Sequence, residues 1–330
     1  MNSFGRLFRV HILGESHGER VGILVDGCPA GLPLKAEDFL EDLERRKGGT
    51  RKGTTPRQEE DYPFIQSGVY NGHTTGAPLV ILFENKNTRS SDYEKQRAVP
   101  RPGHADFVAR QKFGGFEDFR GSGHFSGRLT VALVAAGALA KKLIHPVCVR
   151  STILEIGGET DLDQGLQKAI DAKDSIGGIV ECRAQGLPAG LGEPFFDSVE
   201  SLLAHAVFAI PAVRGIEFGT GFAAARMFGS QHNDPISDMQ GHTVTNHAGG
   251  VVGGISNGNE LVFRIAVKPT SSTPREQHTL NWETGAMETV SVKGRHDLCI
   301  ALRVPVVLEA VTAMVLADLM LLEQKIHRVV

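Results

Sequence analysis

Two kinds of apolar pattern run along the chain, and they recur in the same order. The short runs VGILVD (21–26), PLVILFE (78–84), GGIVEC (177–182) and ELVFRIAV (260–267) are rich in β-branched residues and bounded by turn formers, which predicts strands. A further strand is expected over Leu7–Leu13. In AEDFLEDLERR (36–46) and DSVESLLAHAV (197–207) the apolar residues fall at helical spacing: Phe39, Leu40 and Leu43, then Val199, Leu202 and Leu203. Two longer apolar segments, roughly 127–144 and 304–326, each predict a buried helix. The longest apolar run, LTVALVAAGALA (129–140), stops at Lys141 and Lys142, short of the ~20 residues a bilayer requires. It reads as core, and no membrane association is expected.

Shorter motifs also come in pairs. GCPAGL (27–32) and GLPAGL (186–191) share the pattern G-x-P-A-G-L, each after a strand pattern and before a helical one. SGVYNG (67–72) is echoed by GGISNG (253–258), and RPGHAD (101–106) by KGRHD (293–297). Pro-Ala-Gly and Asn-Gly are ordinary turn formers, so each echo alone could be recurrent turn chemistry. With the strand runs PLVILFE (78–84) and ELVFRIAV (260–267) as a fourth pair, four echoes in one order instead predict two diverged copies of a strand–helix–strand–strand–helix unit, related by a pseudo-twofold axis. The expected fold is mixed α/β (α+β) in one large domain over 1–330, with repeats of roughly 1–148 and 149–330.

Composition narrows the classes of function. With 330 residues and 41% hydrophobic content the chain can bury a sizeable core. A net charge of −3 gives no global field toward nucleic acid or an anionic membrane. Cys28, Cys148, Cys182 and Cys299 are far apart and form no C-x-x-C pair, which suits a reducing cytoplasm better than a disulfide framework or zinc knuckle. MNSFGRLFRV at the start has no long apolar stretch, so no signal peptide is expected. Charge is uneven, however: ERRKGGTRKG (44–53) gathers Arg45, Arg46, Lys47, Arg51 and Lys52 around glycines. The polar loops 86–103, 229–250 and 268–277 carry the Arg, His, Asn and Asp residues that functional loops carry.

GESHG (14–18) matches G-x-S-x-G, the nucleophile elbow of α/β-hydrolases. That elbow tops a sheet, and too few residues precede Gly14 to build one. Ser16 is then a loop hydroxyl bonding backbone groups or a ligand. His17 beside it, and His104 after Pro-Gly, stand on glycine loops as either surface residues or acid–base groups. Arg101 and the other loop arginines favour acid–base work on an anionic ligand, because the guanidinium fork binds carboxylate and phosphate. No histidines form an H-E-x-x-H pair, and His242 and His247 sit on a loop without fixed geometry, so no metal is expected. GGFEDFRGSG (114–123) fits neither a dinucleotide nor a Walker pattern.

GRLFRVHILGESHGERVGILVDGCPAGLPL (5–34) closely resembles the N-terminus of the chorismate synthase family. RPGHADF (101–107), RGSGHFSGRLT (120–130), NHAGGVVGGISNG (246–258), KPTSS (268–272) and KGRHD (293–297) resemble its further motifs, in the family's order from about residue 4 to residue 315. The resemblance implies a β-α-β-α sandwich with an internal pseudo-twofold, assembled as a homotetramer. It implies conversion of 5-enolpyruvylshikimate 3-phosphate to chorismate, the last step of the shikimate pathway, by 1,4-anti elimination of phosphate. Reduced FMN is required, without net redox change. NADPH reduces the flavin in some members, through the chain itself or an external reductase. No dinucleotide fingerprint is present here, and the basic loop at 45–52 could take a nucleotide phosphate or the substrate.

By motif match, His17 resembles the proton donor to the leaving phosphate. His104 resembles the histidine that manages charge near flavin N1, and Asp297 the aspartate by N5 that helps remove the C6 proton. Two carboxylates and a phosphate need several cations, and Arg45, Arg46, Arg51, Arg101 and Arg128 are the candidates. His124, Phe125, Ser126, Ala212, Gly253, Lys268, Pro269, Thr270, Ser271, Ser272 and Arg295 match flavin-binding segments. The chain also departs from the family pattern R-x-S-A-R-E-T: His124 replaces an arginine and Leu129 a glutamate. Pro211-Ala212 stands for Asn-Ala, so a flavin contact there must use Ala212 or a carbonyl. By the resemblance, a C-terminal segment found in many members is expected to be absent after Val330. These departures admit a rival, a non-catalytic flavin- or anion-binding homologue; the joint presence of His17, His104 and Asp297 favours an enzyme.

Overall fold

Each half of the chain builds an antiparallel sheet around strands that alternate buried and less buried residues. The computed structural model describes residues 1–49, 52–55, 59–88, 97–292 and 296–326. The first half runs β1 (Ser3–Phe4), β2 (Arg9–Gly14), β3 (Arg20–Asp26), a 3-10 turn into α1 (Leu40–Arg46), β4 (Phe64–Ser67), β5 (Val69–Tyr70), β6 (His73–Thr74), β7 (Leu79–Glu84), α2 (Asp106–Phe113) and α3 (Thr130–Leu143). The second runs β8 (Cys148–Ile156), α4 (Leu162–Ala172), β9 (Gly178–Gln185), α5 (Val199–Val207), β10 (Val213–Phe218), the single-turn α6 (Gly229–His232), β11 (Val251–Val252), β12 (Ile255–Ser256), β13 (Leu261–Val267), β14 (Gln277–Leu280), β15 (Met287–Val290) and α7 (Val304–Leu322). One sheet has the order β1-β2-β3-β7-β4 and the other β10-β13-β9-β8. Read from the opening hairpin, β2-β3-β7-β4 and β8-β9-β13-β10 are the same order, with α1 and α5 in the same connection.

The equivalence reaches individual hydrogen bonds. Thr74 Oγ1 donates to the Pro29 carbonyl at 2.6 Å and accepts from the Leu32 N–H at 3.0 Å. Ser256 Oγ donates to the Pro188 carbonyl at 2.7 Å and accepts from the Leu191 N–H at 2.9 Å. These bonds dock the two G-x-P-A-G-L turns onto the small hairpins β5-β6 and β11-β12. They also correct one expected pairing: SGVYNG corresponds to GGVVGG (249–254), not to GGISNG. Asn71 and Gly72 make the first hairpin turn, with φ of 48° and 72°; Gly253 and Gly254 make the second, with 63° and 89°. Both are two-residue turns with positive φ, a conformation that Asn and Gly alike supply. The Asn-Gly of the second copy lies beyond its turn.

The two long helices pack against each other, α3 on the first sheet and α7 on the second. The expected α+β sandwich is present, and its main layers run sheet, helices, sheet. By length and apolarity α7 would suffice to cross a bilayer, but 89% of that stretch is buried inside the fold. A helix apolar on all sides is what full enclosure by protein requires. Its carboxylates are paired internally: Asp318 accepts the backbone N–H groups of Arg6, Leu7 and Phe8.

The helices cross where Gly137 meets Ala310. A Cβ on Gly137 would stand 2.2 Å from the Ala310 Cβ and 2.3 Å from its Cα. Gly137→Ala should therefore lower the unfolding free energy by about 1–3 kcal/mol, read from urea midpoints. Gly229→Ala, where a Cβ meets nothing within 4 Å, should leave the midpoint in place. Equal midpoints for the two variants would contradict this packing.

Candidate active site

A cavity of about 560 Å³ opens where the β2–β3 loop, the segments around 101–104 and 121–130, the loop after α5, residues 268–272 and the start of α7 converge. That volume is in the usual range for a small-molecule site, about 300–1,000 Å³. Ile12, Leu133, Val304 and Val307 supply apolar wall, and most of the remaining lining is polar or cationic.

GESHG is the β2–β3 turn. Gly14 has φ +84°, and a Cβ there would lie 2.3 Å from the Arg20 carbonyl oxygen, so the turn needs glycine. His17 lines the cavity and is 9% exposed. Its imidazole lies against Gly121, where a Cβ would fall 2.4 Å from His17 Nε2 and 3.0 Å from Ser16 Oγ. Ser16 is fully buried, and its hydroxyl has no hydrogen-bond partner among the described residues. A serine without a base in hydrogen-bond contact is not an activated nucleophile, so the hydrolase reading fails on geometry as well as on sequence.

The second histidine loop is held by a carboxylate. Asp106, at the start of α2, lies 2.6 Å from His104 Nδ1 and 2.7 and 2.8 Å from Arg101 Nη2 and Nε. Burial pushes the Asp106 carboxyl up, but the Arg101 and His104 hydrogen bonds outweigh it and hold the group well below the usual carboxylate range. Arg101 also donates to Ser122 Oγ at 3.0 Å and Ser272 Oγ at 3.2 Å. It lines the cavity, with most of its donors held by protein groups.

Behind the cavity two further arginines share one carboxylate. Arg46 Nη1 donates to Asp61 Oδ2 at 3.0 Å and Arg128 Nη1 donates to Asp61 Oδ1. Arg46 also bonds Thr130 Oγ1 at 3.0 Å and the Arg128 carbonyl at 3.1 Å, while Arg128 bonds Asn85 Oδ1 at 2.8 Å and the Glu84 carbonyl at 3.1 Å. Burial first, then the Arg303 cation, press the Arg46 guanidinium down from its ordinary value. Asp297 lines the cavity with one oxygen 3.0 Å from Arg303 Nη1 and the other accepting the Thr55 N–H at 2.8 Å.

Arg45 is a correction. It does not line the cavity: partly exposed at the surface, it grips Glu309 of α7 with two bonds of 2.7 Å, beside Asp42 and Lys141. Glu309 is fully buried, and a buried carboxylate needs this cation, so Arg45 serves the carboxylate of α7. Gly253 belongs to the β11–β12 turn, and neither it nor Pro269 lines the cavity. Arg51 and Arg295 lie outside the described residues.

His124, Phe125, Ser126, Ala212, Lys268, Thr270, Ser271 and Ser272 all line the cavity. Lys268 Nζ donates to Ser271 Oγ at 2.8 Å and the Gly103 carbonyl at 3.2 Å, tying 268–272 to the His104 loop. Burial first, then Arg214, lower the Lys268 ammonium from its ordinary value. Ala212 has φ +75°, its carbonyl accepts the Lys268 N–H at 2.9 Å, and among the described residues its own N–H has no backbone partner. His124 Nδ1 donates to the Gly14 carbonyl at 2.8 Å, lacing the motif to the base of the His17 loop, and Leu129 is buried.

Sequence reasoning missed Asp61, Asp106 and Arg303. Glu59-Glu60-Asp61 follows the basic loop, and a charge-balance reading of the two runs would have drawn attention to Asp61. Among the described residues no cluster of His, Cys, Asp and Glu could hold a metal ion.

The chorismate synthase family model matches residues 8–321. A chorismate synthase of Chitinophaga pinensis is 72% identical over 330 residues, covering 100% of this chain and 99% of that protein. One of Dehalococcoides mccartyi is 45% identical over 360 residues, with the same coverage of 100% and 99%. A crystal structure of chorismate synthase superposes with a TM-score of 0.72 at 27% identity, covering 97% of this chain and 93% of that one.

Asp61→Asn would leave Arg46 and Arg128, with side chains 3% and 4% exposed, without their shared counter-charge. A loss of about 3–5 kcal/mol in chemical denaturation is expected. A loss below 1 kcal/mol would show that the pair is neutralised by other means.

Proposed function

The chain belongs to the chorismate synthase family, and on that premise we propose that it eliminates phosphate from 5-enolpyruvylshikimate 3-phosphate to give chorismate, with reduced FMN in the cavity. The observation that carries this reading is the meeting of His17, His104 and Asp297 in one cavity with cationic groups around it. The cavity's donor set suits FMN. It has apolar wall for a flat ring, the Ala212 N–H at its rim, and the Lys268, Thr270, Ser271 and Ser272 cluster for polar ends. Gly121 and Gly103, both at positive φ, let backbone approach a ligand without a Cβ in the way. Phe125, Ser126, Ala212, Lys268 and residues 270–272 would hold the flavin. When bound, the reduced flavin supplies electron density as phosphate departs and regains it as the C6 hydrogen is lost.

The chain's own residues handle charge and protons. Arg303, together with the Arg46 and Arg128 cations, makes the cavity favourable to a substrate carrying two carboxylates and a phosphate. His17 gives its proton to the departing phosphate oxygen. Asp297, held in place by Arg303 and the Thr55 N–H, accepts the C6 proton. The proton delivered at one end and the proton taken at the other balance the loss of phosphate. His104 balances the negative charge of the reduced cofactor. We also propose a homotetramer, supported by Phe195, Phe196, Phe222, Phe228 and Met239, which stand 77–96% exposed. Free cysteines throughout suit a reducing compartment such as the cytoplasm.

The test is anaerobic turnover with reduced FMN. His17→Ala and Asp297→Ala should fold normally and lose on the order of 10²–10⁴-fold in kcat. Near wild-type rates in both would overturn these roles.

A further inference from the structure

We propose that Asp106 is a positioning residue that fixes His104 in the Nδ1–H tautomer, and that Arg101 holds this carboxylate in place. The inference rests on the reading above, in which His104 acts beside the flavin.

Donors and acceptors around His104 Nδ1 decide which atom carries the hydrogen. Two groups approach His104 Nδ1: Asp106 Oδ1 at 2.6 Å and Arg101 Nη2 at 3.0 Å. The nitrogen cannot donate to one and accept from the other. A bare Nδ1 lone pair facing a charged carboxylate at that distance would be repulsive, so Nδ1 carries the hydrogen. Both Nη2 hydrogens of Arg101 are then used elsewhere, on Asp106 Oδ1 at 2.7 Å and Ser122 Oγ at 3.0 Å. Asp106 Oδ2 accepts from Arg101 Nε at 2.8 Å and from the Arg101 backbone N–H at 3.0 Å. The carboxylate's four acceptor positions are thereby filled, and the Arg101 side chain is only 3% exposed. Two rigid donors on one side leave the carboxylate a single direction in which to hold the imidazole.

His104 keeps Nε2 for the ligand. In the neutral ring it is a lone pair ready for a proton, and once it is protonated Asp106 stabilises the imidazolium. Other charged groups near the ring are Lys268, bonded to the Gly103 carbonyl, His17 in the same cavity, and Arg97, Arg110, Glu117 and Asp118 around a smaller adjoining cavity of about 260 Å³. Among the described residues only Asp106 and Arg101 come within hydrogen-bonding distance of the imidazole.

The experiment is ¹⁵N NMR of the intact protein labelled on its histidine rings. Wild type should show His104 with hydrogen on Nδ1 and a pyridine-like Nε2. In Asp106→Asn the amide N–H₂ can face Nδ1, so the hydrogen should move to Nε2. With the same variant, kcat should fall on the order of 10²–10⁴-fold, as a wrong tautomer does in an analogous His–Asp pair. The KM for substrate should change less than about threefold, and Asp106→Glu should recover part of the rate. Wild-type His104 with hydrogen on Nε2 would overturn the proposal, and that result needs no folded variant. An unchanged tautomer or an unchanged kcat in Asp106→Asn would overturn it too. Wild-type enzyme that forms no chorismate would instead sink the proposed function, while the tautomer measurement still decides this point.

Discussion

Two guanidinium groups buried side by side repel each other, and Asp61 is what lets them coexist. Arg46 comes from the end of α1 and Arg128 from the turn that starts α3, so their shared carboxylate joins two elements far apart in sequence. The same arginines take backbone carbonyls at 84 and 128 as further acceptors. Their positions then fix the end of β7 and the approach to α3, which are two edges of the cavity. Burial makes the arrangement all-or-none: each charge removed leaves others uncompensated in low dielectric.

Around that base the site is assembled from both halves of the chain. His17, His104 and Arg128 come from the first, and Ala212, Lys268, Asp297 and Arg303 from the second. The halves share strand order and even the Thr74 and Ser256 turn bonds, yet they supply different chemistry to the cavity. Likeness is kept in the turns that dock hairpins, and divergence is concentrated in the loops that face the ligand. The His17 loop depends on Gly14 and Gly121 for space, whereas the His104 loop depends on Arg101 and Asp106 for direction.

Much of this was legible in the sequence, for identifiable reasons. Strands such as VGILVD declare themselves as short β-branched runs between turn formers, α1 and α5 by apolar residues at helical spacing, and α3 by an apolar run that only full burial explains. The histidine loops were visible because polar residues amid glycines have few structural uses. What escaped was tertiary pairing. Arg45 and Arg46 are neighbours in one basic run, but one points to Glu309, buried on a helix 264 residues away, and the other toward the cavity. No local pattern separates them. The hairpin register slipped for a related reason: Asn-Gly and Gly-Gly form the same turn, so matching letters does not match geometry. Asp106 was present in RPGHAD, but its grip on Arg101 and His104 becomes apparent only in three dimensions. His124, too, has a local role that no sequence pattern announced, its bond to the Gly14 carbonyl.

That this cavity carries out a flavin-dependent elimination with no net redox change is the proposal on which the residue roles depend. It is tested most directly by mixing the wild-type protein with prereduced FMN and 5-enolpyruvylshikimate 3-phosphate under strict anaerobiosis. Phosphate, chorismate and the flavin spectrum would be followed together over many turnovers. Equimolar phosphate and chorismate, with the flavin still reduced at the end, is the predicted result. No phosphate release, or flavin oxidised in step with product, would contradict the account.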